Sequence, residues 1–393
     1  MAITDKEEGV WNLDEVYNKQ NQGGIWNYSS NLLKFKTTGS NTAGTLAQND
    51  TVARSSPTQV GTDTNWSAIM SGSYSYNQMM ARKSDNTLWI WGSNGGQLGL
   101  NDTTFRSSPT QLPGTDWSSF FSIGMRTAMA SKNGQMWVWG SNQMGQLGQN
   151  EHGPAPANQS SPIQIPGAWT DGICGDYAMF GIKGGGLYAW GGVYNSSLGL
   201  NQGYGYDKSS PTQVGTDTTW AKTANGAYRM VAAIKTDGTL WAWGSGSAQV
   251  AGASPTGRRS SPIQIGSGTT WSEVSTTVQE TLYAIKTDGT LWAAGGSDES
   301  NNDGQLGQNN RTNSETPIQI PGTWASVHPY NTSVAAIKTD GTLWSWGKNQ
   351  NGRLGHNNEV SYSSPTQIPG IYNTEGNGAG ATHTGILGMI EAV

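Results

Sequence analysis

Apolar residues in this chain come in short bursts separated by glycine-containing polar turns, and the bursts recur in a fixed order. An apolar run such as Val231-Ala-Ala-Ile-Lys, Leu282-Tyr-Ala-Ile-Lys or Val334-Ala-Ala-Ile-Lys is followed by Asp237-Gly238, Asp288-Gly289 or Asp340-Gly341, and Asn133-Gly134 takes the same place once more. Asp-Gly and Asn-Gly pairs between apolar runs predict β-hairpins with two-residue type I′ turns, which need positive φ at both central residues. The returning strand reads Leu-Trp-x-Trp-Gly at 88–92, 240–244 and 343–347, with variants at 136–140 and 187–191. Side chains alternate along a strand, so the two Trp share one face, while the Leu and the middle residue share the other. Both faces are apolar, and both must therefore be covered. The 3.6-residue period of an amphipathic helix is absent from this region.

The hairpin belongs to a longer unit. Pro57, Pro109, Pro162, Pro211, Pro262, Pro317 and Pro365 recur at intervals of 48 to 55 residues, six of them within Ser-Ser-Pro and Pro317 within Glu-Thr-Pro. Each is followed by an aromatic residue: Trp66, Trp117, Trp169, Trp220, Trp271, Trp324 and, in the last place, Tyr372. Each unit closes near Gly-Gln-Leu-Gly, at 96–99, 145–148 and 304–307, or Gly-Arg-Leu-Gly at 352–355. A repeat of this length predicts a stack of small units that cover one another's apolar faces. Residues 32–60 carry only the second half of a unit and 371–393 only the first half. Two complementary halves predict a closed ring with one blade built from both ends of the chain, an arrangement that removes open sheet edges.

The order apolar strand, Asp-Gly turn, Leu-Trp-x-Trp-Gly, Gly-Gln-Leu-Gly resembles the RCC1 repeat (regulator of chromosome condensation family) over residues 31–393. The resemblance implies an all-β protein, a seven-bladed β-propeller of four-stranded blades closed by a shared blade. The Gly-x-x-His of many RCC1 strands is nearly absent, and only Gly380-Ala-Thr-His383 approaches it.

Composition sharpens this picture. The 393 residues include 55 Gly and 18 Trp, with 12% charged residues, against averages of about 7% Gly and about 25% charged. So many aromatics exclude a disordered linker, and the lack of a three-residue Gly period excludes collagen. Net charge is −5, with no basic stripe or tail, so neither nucleic acid nor an anionic membrane surface is an expected partner. No apolar run reaches the ~18 residues of a membrane span. The opening Met-Ala-Ile-Thr-Asp-Lys-Glu-Glu lacks a signal pattern, so export by a standard signal is not expected. The single cysteine, Cys174, lies in an apolar run and reads as a buried thiol.

Candidate chemistry is sparse, and no enzyme, cofactor or metal is expected. His152, His328, His356 and His383 fall in four different units without ligand spacing. Glu299-x-Asn301-x-Asp303-Gly304 faintly resembles a calcium loop, but its twelfth position is Asn310. Irregular loops are more informative, because binding residues concentrate on loops held by a rigid scaffold. They are Asn150–Gln159, Val193–Asp207, Ser247–Arg259 and Asp298–Asp303. Tyr194, Tyr204 and Tyr206 form the candidate contact patch, since tyrosine supplies rigid amphipathic contact area.

Residues 1–30 lie outside the repeat and read as an attachment arm ahead of the propeller at 31–393. Asn12 suits an N-cap with Glu15 at N3 and Trp11 and Val16 as a staple. The short helix this predicts needs something to dock on, through Trp11, Leu13, Val16 and Tyr17, with Trp26 beyond it. The segment from Gly9 through Trp26 also resembles openings of bacteriophage virion proteins, often tail or fibre components. That resemblance implies a virion location, with the arm docked on other virion proteins and the propeller displayed as a decoration, adhesin or module for a host surface receptor. The alternative is a cellular RCC1-type regulator, either a GTPase exchange factor or a protein-binding propeller.

Overall fold

The computed structural model describes residues 32–392 except 70–76, 152–157, 176, 193–197, 203–205, 225–228, 247–257, 278, 296–300, 375–378 and 383–384. The described residues form seven four-stranded antiparallel sheets. We number the blades 1 to 6 along the chain, spanning 66–111, 117–165, 169–213, 220–264, 271–320 and 324–368. Blade 7 combines Ala379–Thr382 and Ile386–Ala392 with Leu33–Gly39 and Arg54–Gln59. Leu33–Gly39 pairs along its whole length with Ile386–Ala392, from Leu33 opposite Ala392 to Gly39 opposite Ile386. The ring is thus closed by the two ends of the chain, as the complementary half-units predict.

Alternation along the strands divides the core into seven interfaces. In blade 1, Met79, Ala81 and Trp91 pack with Phe35 and Ile390 of blade 7. Met80, Leu88 and Ile90 face the other way and pack with Ala128, Ala130 and Trp139 of blade 2. The same division recurs around the ring, giving one buried cluster per pair of neighbours. At five of the seven junctions the first strands of neighbouring blades contact one another, which puts these strands around the axis. The fourth strands, which carry the Ser-Ser-Pro blocks, form the outer edges. Proline has no N–H to offer a further strand, which suits an exposed edge.

The hairpin turns correct one expectation. Asn133-Gly134 and Gly184-Gly185 do form two-residue turns with positive φ at both positions. At Asp237-Gly238 only the glycine is left-handed, and Gly238 N donates to Lys235 O at 2.9 Å. The turn is therefore a three-residue loop, 236–238, ending in a left-handed Gly, and 287–289 and 339–341 match it. The reason lies in the next residue. Asp237 Oδ1 accepts from Thr239 N at 3.0 Å and Thr239 Oγ1 at 2.7 Å, and that hydroxyl accepts the Trp241 indole N–H at 2.8 Å. A carboxylate locked onto the backbone two residues ahead favours the right-handed turn conformation over the left-handed one.

The two conserved-looking blocks of the repeat turn out to be partners across the blade interface. Asn101 N donates to Ser160 O, Asn150 N to Ser209 O and Asn201 N to Ser260 O, each at 2.7 Å, so the connection between the third and fourth strands of one blade clasps the Ser-Ser-Pro edge of the next. The first glycine of Gly-Gln-Leu-Gly leaves no room for a side chain at two of its three places: a Cβ would lie 2.6 Å from Ser209 Cα at Gly145 and 2.5 Å from Ser363 Cα at Gly304, but 3.8 Å from Ser160 Cα at Gly96. The second Trp of Leu-Trp-x-Trp-Gly completes the clasp. Trp139 donates its indole N–H to Gln97 O at 2.9 Å, Trp190 to Gln146 O at 2.8 Å and Trp346 to Gln305 O at 2.7 Å, each reaching into the preceding blade. In blade 5 the equivalent residue is Ala294 and in blade 7 it is Thr38, so these two blades lack that indole.

Candidate interaction face

Within every blade the second-to-third strand turns lie on one face of the ring, and the third-to-fourth strand connections lie on the other. All four irregular stretches singled out in the sequence are third-to-fourth connections, in consecutive blades 2 to 5. They therefore leave and rejoin the scaffold on a single face. Tyr206 lies at the end of one of them and is 59% exposed. Tyr194 and Tyr204 lie outside the described residues, as do Trp11, Leu13, Val16, Tyr17 and Trp26.

Surface apolarity follows the same division. Among the described residues seven large hydrophobic side chains are exposed, and five of them, Val52, Phe105, Met144, Tyr206 and Val360, belong to third-to-fourth connections. Phe105 is the most exposed of these, at 61%. Single exposed apolar residues are ordinary; these five stand on connections of five different blades, all on the same face. Sequence reasoning missed Val52, Phe105, Met144 and Val360 because each sits inside an apparently regular unit. Their signal is an apolar residue where a solvated loop has no packing use for one.

Charge collects on the axis. Asp171, Lys222 and Glu273 occupy the third position of the first strands of blades 3, 4 and 5, each in the same register against an isoleucine of the second strand. The order is acid, base, acid. Asp171 Oδ2 accepts from Thr223 N at 2.6 Å and Thr223 Oγ1 at 2.8 Å, tying blade 3 to blade 4. Burial raises the carboxyl pKa values of Asp171 and Glu273 above the usual range, with Lys222 acting in the opposite sense.

His328 stands in the first strand of blade 6, fully buried, with Nε2 2.9 Å from Ser326 Oγ. Burial, assisted by the positive charge of Lys222, lowers its pKa to about 4. An unfolded histidine titrates near 6.5, so between pH 6.5 and 4 the unfolded chain binds more protons than the folded one. The stabilisation is complete above that window and lost as pH falls through it. Asp171 and Glu273, with raised folded pKa values, contribute in the opposite sense, and their stabilisation is lost as pH rises. The wild type minus His328→Gln difference in unfolding free energy isolates the histidine. It should fall by about 3 kcal/mol from pH 7 to pH 4; a difference independent of pH contradicts the assignment.

The remaining candidates that fall among the described residues make internal contacts. Cys174 is buried, its thiol pKa is pushed up by burial, and its backbone N–H donates to Ser122 Oγ at 3.1 Å. His356 Nε2 lies 2.9 Å from Ser345 Oγ, while His152 and His383 lie outside the described residues. Asn301 of the calcium-like stretch is buried and folds its own loop, accepting from Leu306 N at 2.9 Å and donating to Thr312 O at 2.7 Å. Asn41, Asn142 and Asn349 hold the matching leucine or its counterpart in the same way.

Comparison with known proteins agrees with the fold. The family model "Regulator of chromosome condensation (RCC1) repeat" matches residues 133–180 and 340–387. The mitochondrial RCC1 domain-containing protein RUG3 of Arabidopsis thaliana is 25% identical over 285 residues, covering 67% of this chain and 62% of that protein. The ultraviolet-B receptor UVR8 of the same plant is 29% identical over 169 residues, 40% of this chain and 36% of the receptor. The chain thus spans less than two thirds of either relative. Human WBSCR16 superposes with a TM-score of 0.76 at 18% identity, over 91% of this chain and 98% of that one. Prp20p of Saccharomyces cerevisiae, a structure described together with its binding to Gsp1p and histones, superposes with a TM-score of 0.73 at 16% identity, over 92% of each chain. At such identities the superpositions establish the fold alone. Repeat pattern, ring closure and family match converge: this chain is a seven-bladed β-propeller of RCC1 type.

Proposed function

We propose that this propeller is a protein-binding module without catalysis of its own, and that it engages its partner with the face carrying the third-to-fourth strand connections. The observation that supports this reading is the placement, among the described residues, of five of the seven exposed large hydrophobic side chains on that face. An RCC1-type fold is compatible with it, since Prp20p is described as binding Gsp1p and histones. A cellular RCC1-type binder has the comparisons on its side. Display on a virion rests on residues 1–30 alone, and the relatives named above, from a plant, a yeast and human, lend it no support.

Photo-crosslinking tests the face. Crosslinkers placed at Phe105 and Tyr206 should capture one common partner in the native host, whereas crosslinkers at Asp288 and Asp340, on the opposite turns, should not. Capture of the same protein with equal yield from both faces, or only from the Asp-Gly turns, overturns the assignment.

A further inference from the structure

Three clefts of one design lie in the grooves between blades. They lie between blades 7 and 1, with Trp66 and Trp89 (about 330 Å³), between blades 3 and 4, with Trp220 and Trp241 (about 290 Å³), and between blades 5 and 6, with Trp324 and Trp344 (about 330 Å³). A lysine ammonium stands over both indoles of each pair. Lys83 Nζ is 4.9 and 3.9 Å from the ring centroids, Lys235 Nζ 4.9 and 3.9 Å, and Lys338 Nζ 5.2 and 3.8 Å.

The clefts differ in one respect. In the first two a carboxylate of the chain holds the ammonium: Lys83 Nζ is 2.8 Å from Asp63 Oδ2, and Lys235 Nζ is 2.8 Å from Asp217 Oδ2. Both aspartates sit in the segment Gly-Thr-Asp-Thr-x-Trp, in which the Trp follows the Gly by five positions, at 61–66 and 215–220. Between blades 5 and 6 the segment is Gly322-Thr-Trp324, in which the Trp follows by two, and there is no aspartate. Lys338 Nζ consequently has no hydrogen bond or ion pair among the described residues, although it borders the cleft. The nearby Asp340 carboxylate is occupied by Thr342 N at 2.9 Å and Thr342 Oγ1. The indole N–H of Trp324, 99% buried beside the same cleft, has no partner, and neither have those of Trp66 and Trp220 beside the two clefts that hold an aspartate.

An ammonium held on two aromatic faces at the border of a cleft, with no carboxylate within bonding distance, is arranged for an anionic oxygen. We propose that the cleft between blades 5 and 6 binds a carboxylate, supplied by an acidic side chain of another protein, in the manner that Asp63 and Asp217 display within this chain. At about 330 Å³ the cleft has ample room for one acidic side chain. Asn309 and Ser364 line the same cleft, as does Gln308, whose amide nitrogen already donates to Leu306 O at 3.3 Å and Gln319 O at 3.0 Å. This site lies in a groove between blades, and the proposal does not rest on the interaction face proposed above.

The test uses the intact protein and N-acetyl-aspartate N-methylamide as the probe, with the asparagine analogue as control, read by the indole N–H resonances of Trp324 and Trp344. The aspartate probe should shift these resonances saturably, and the asparagine analogue should bind at least tenfold more weakly. Lys338→Met should abolish the response, and added salt should weaken it. Asp217→Ala, which empties the cleft between blades 3 and 4, should add a second site reported by Trp220 and Trp241. No saturable shift, equal response to both probes, an unchanged response in Lys338→Met, or no added site in Asp217→Ala overturns the proposal.

Discussion

Replacing Trp139 with alanine is expected to destabilise the propeller by about 3–5 kcal/mol, the usual cost of deleting a fully buried tryptophan. The ring lies in the interface between blades 1 and 2 with Leu98, Leu112 and Trp117, and nothing of it reaches solvent. The change does more than open a cavity. It removes the donor that satisfies Gln97 O at 2.9 Å, leaving a buried carbonyl of the preceding blade without its partner. Gly99, whose missing side chain makes room for the indole, then faces a void. Urea unfolding followed by far-ultraviolet circular dichroism measures the effect. Trp137, two residues earlier, is only half-buried and should cost clearly less. A loss below about 1 kcal/mol for Trp139→Ala would show that the indole is not the latch between blades.

Removing residues 379–392 should have a still larger effect, because it takes away half of blade 7. Five buried aliphatic residues leave with it, Ala379, Ile386, Leu387, Met389 and Ile390, and they belong to two different inter-blade clusters. The four larger ones together are worth about 6–12 kcal/mol at 1.5–3 kcal/mol each, comparable with the whole stability of an ordinary domain at about 5–15 kcal/mol. The seven residues of Leu33–Gly39 also lose their ladder partners, which opens a sheet edge inside the ring. The expected result is a chain without a cooperative thermal transition, regaining one when a peptide of residues 379–392 is added. A shortened chain that melts cooperatively within a few degrees of the full one would show that the velcro-like closure is dispensable.

Much of this architecture is legible in local pattern. The Leu-Trp-x-Trp-Gly strands, the hairpins and the complementary half-units all follow from side-chain alternation and repeat spacing, and all appear in the structure. The turn type at Asp237-Gly238 does not follow from the dipeptide, because the Thr239 N–H and hydroxyl compete for the Asp237 carboxylate. The two Trp of each strand also look equivalent in sequence. Only packing separates Trp91, fully buried against blade 7, from Trp89, half-buried beneath Lys83.

The sequence by itself determined the all-β class, the number of blades and the shared blade, since period and alternation are properties of the chain read along its length. Tertiary structure alone decided which repeated blocks meet. Gly-Gln-Leu-Gly of one blade clasps Ser-Ser-Pro of the next, Asp171 in blade 3 reaches Thr223 in blade 4, and exposed apolar residues from separate units gather on one face. These are contacts between residues about fifty positions apart, and their chemistry depends on the rotation from blade to blade that closes the ring.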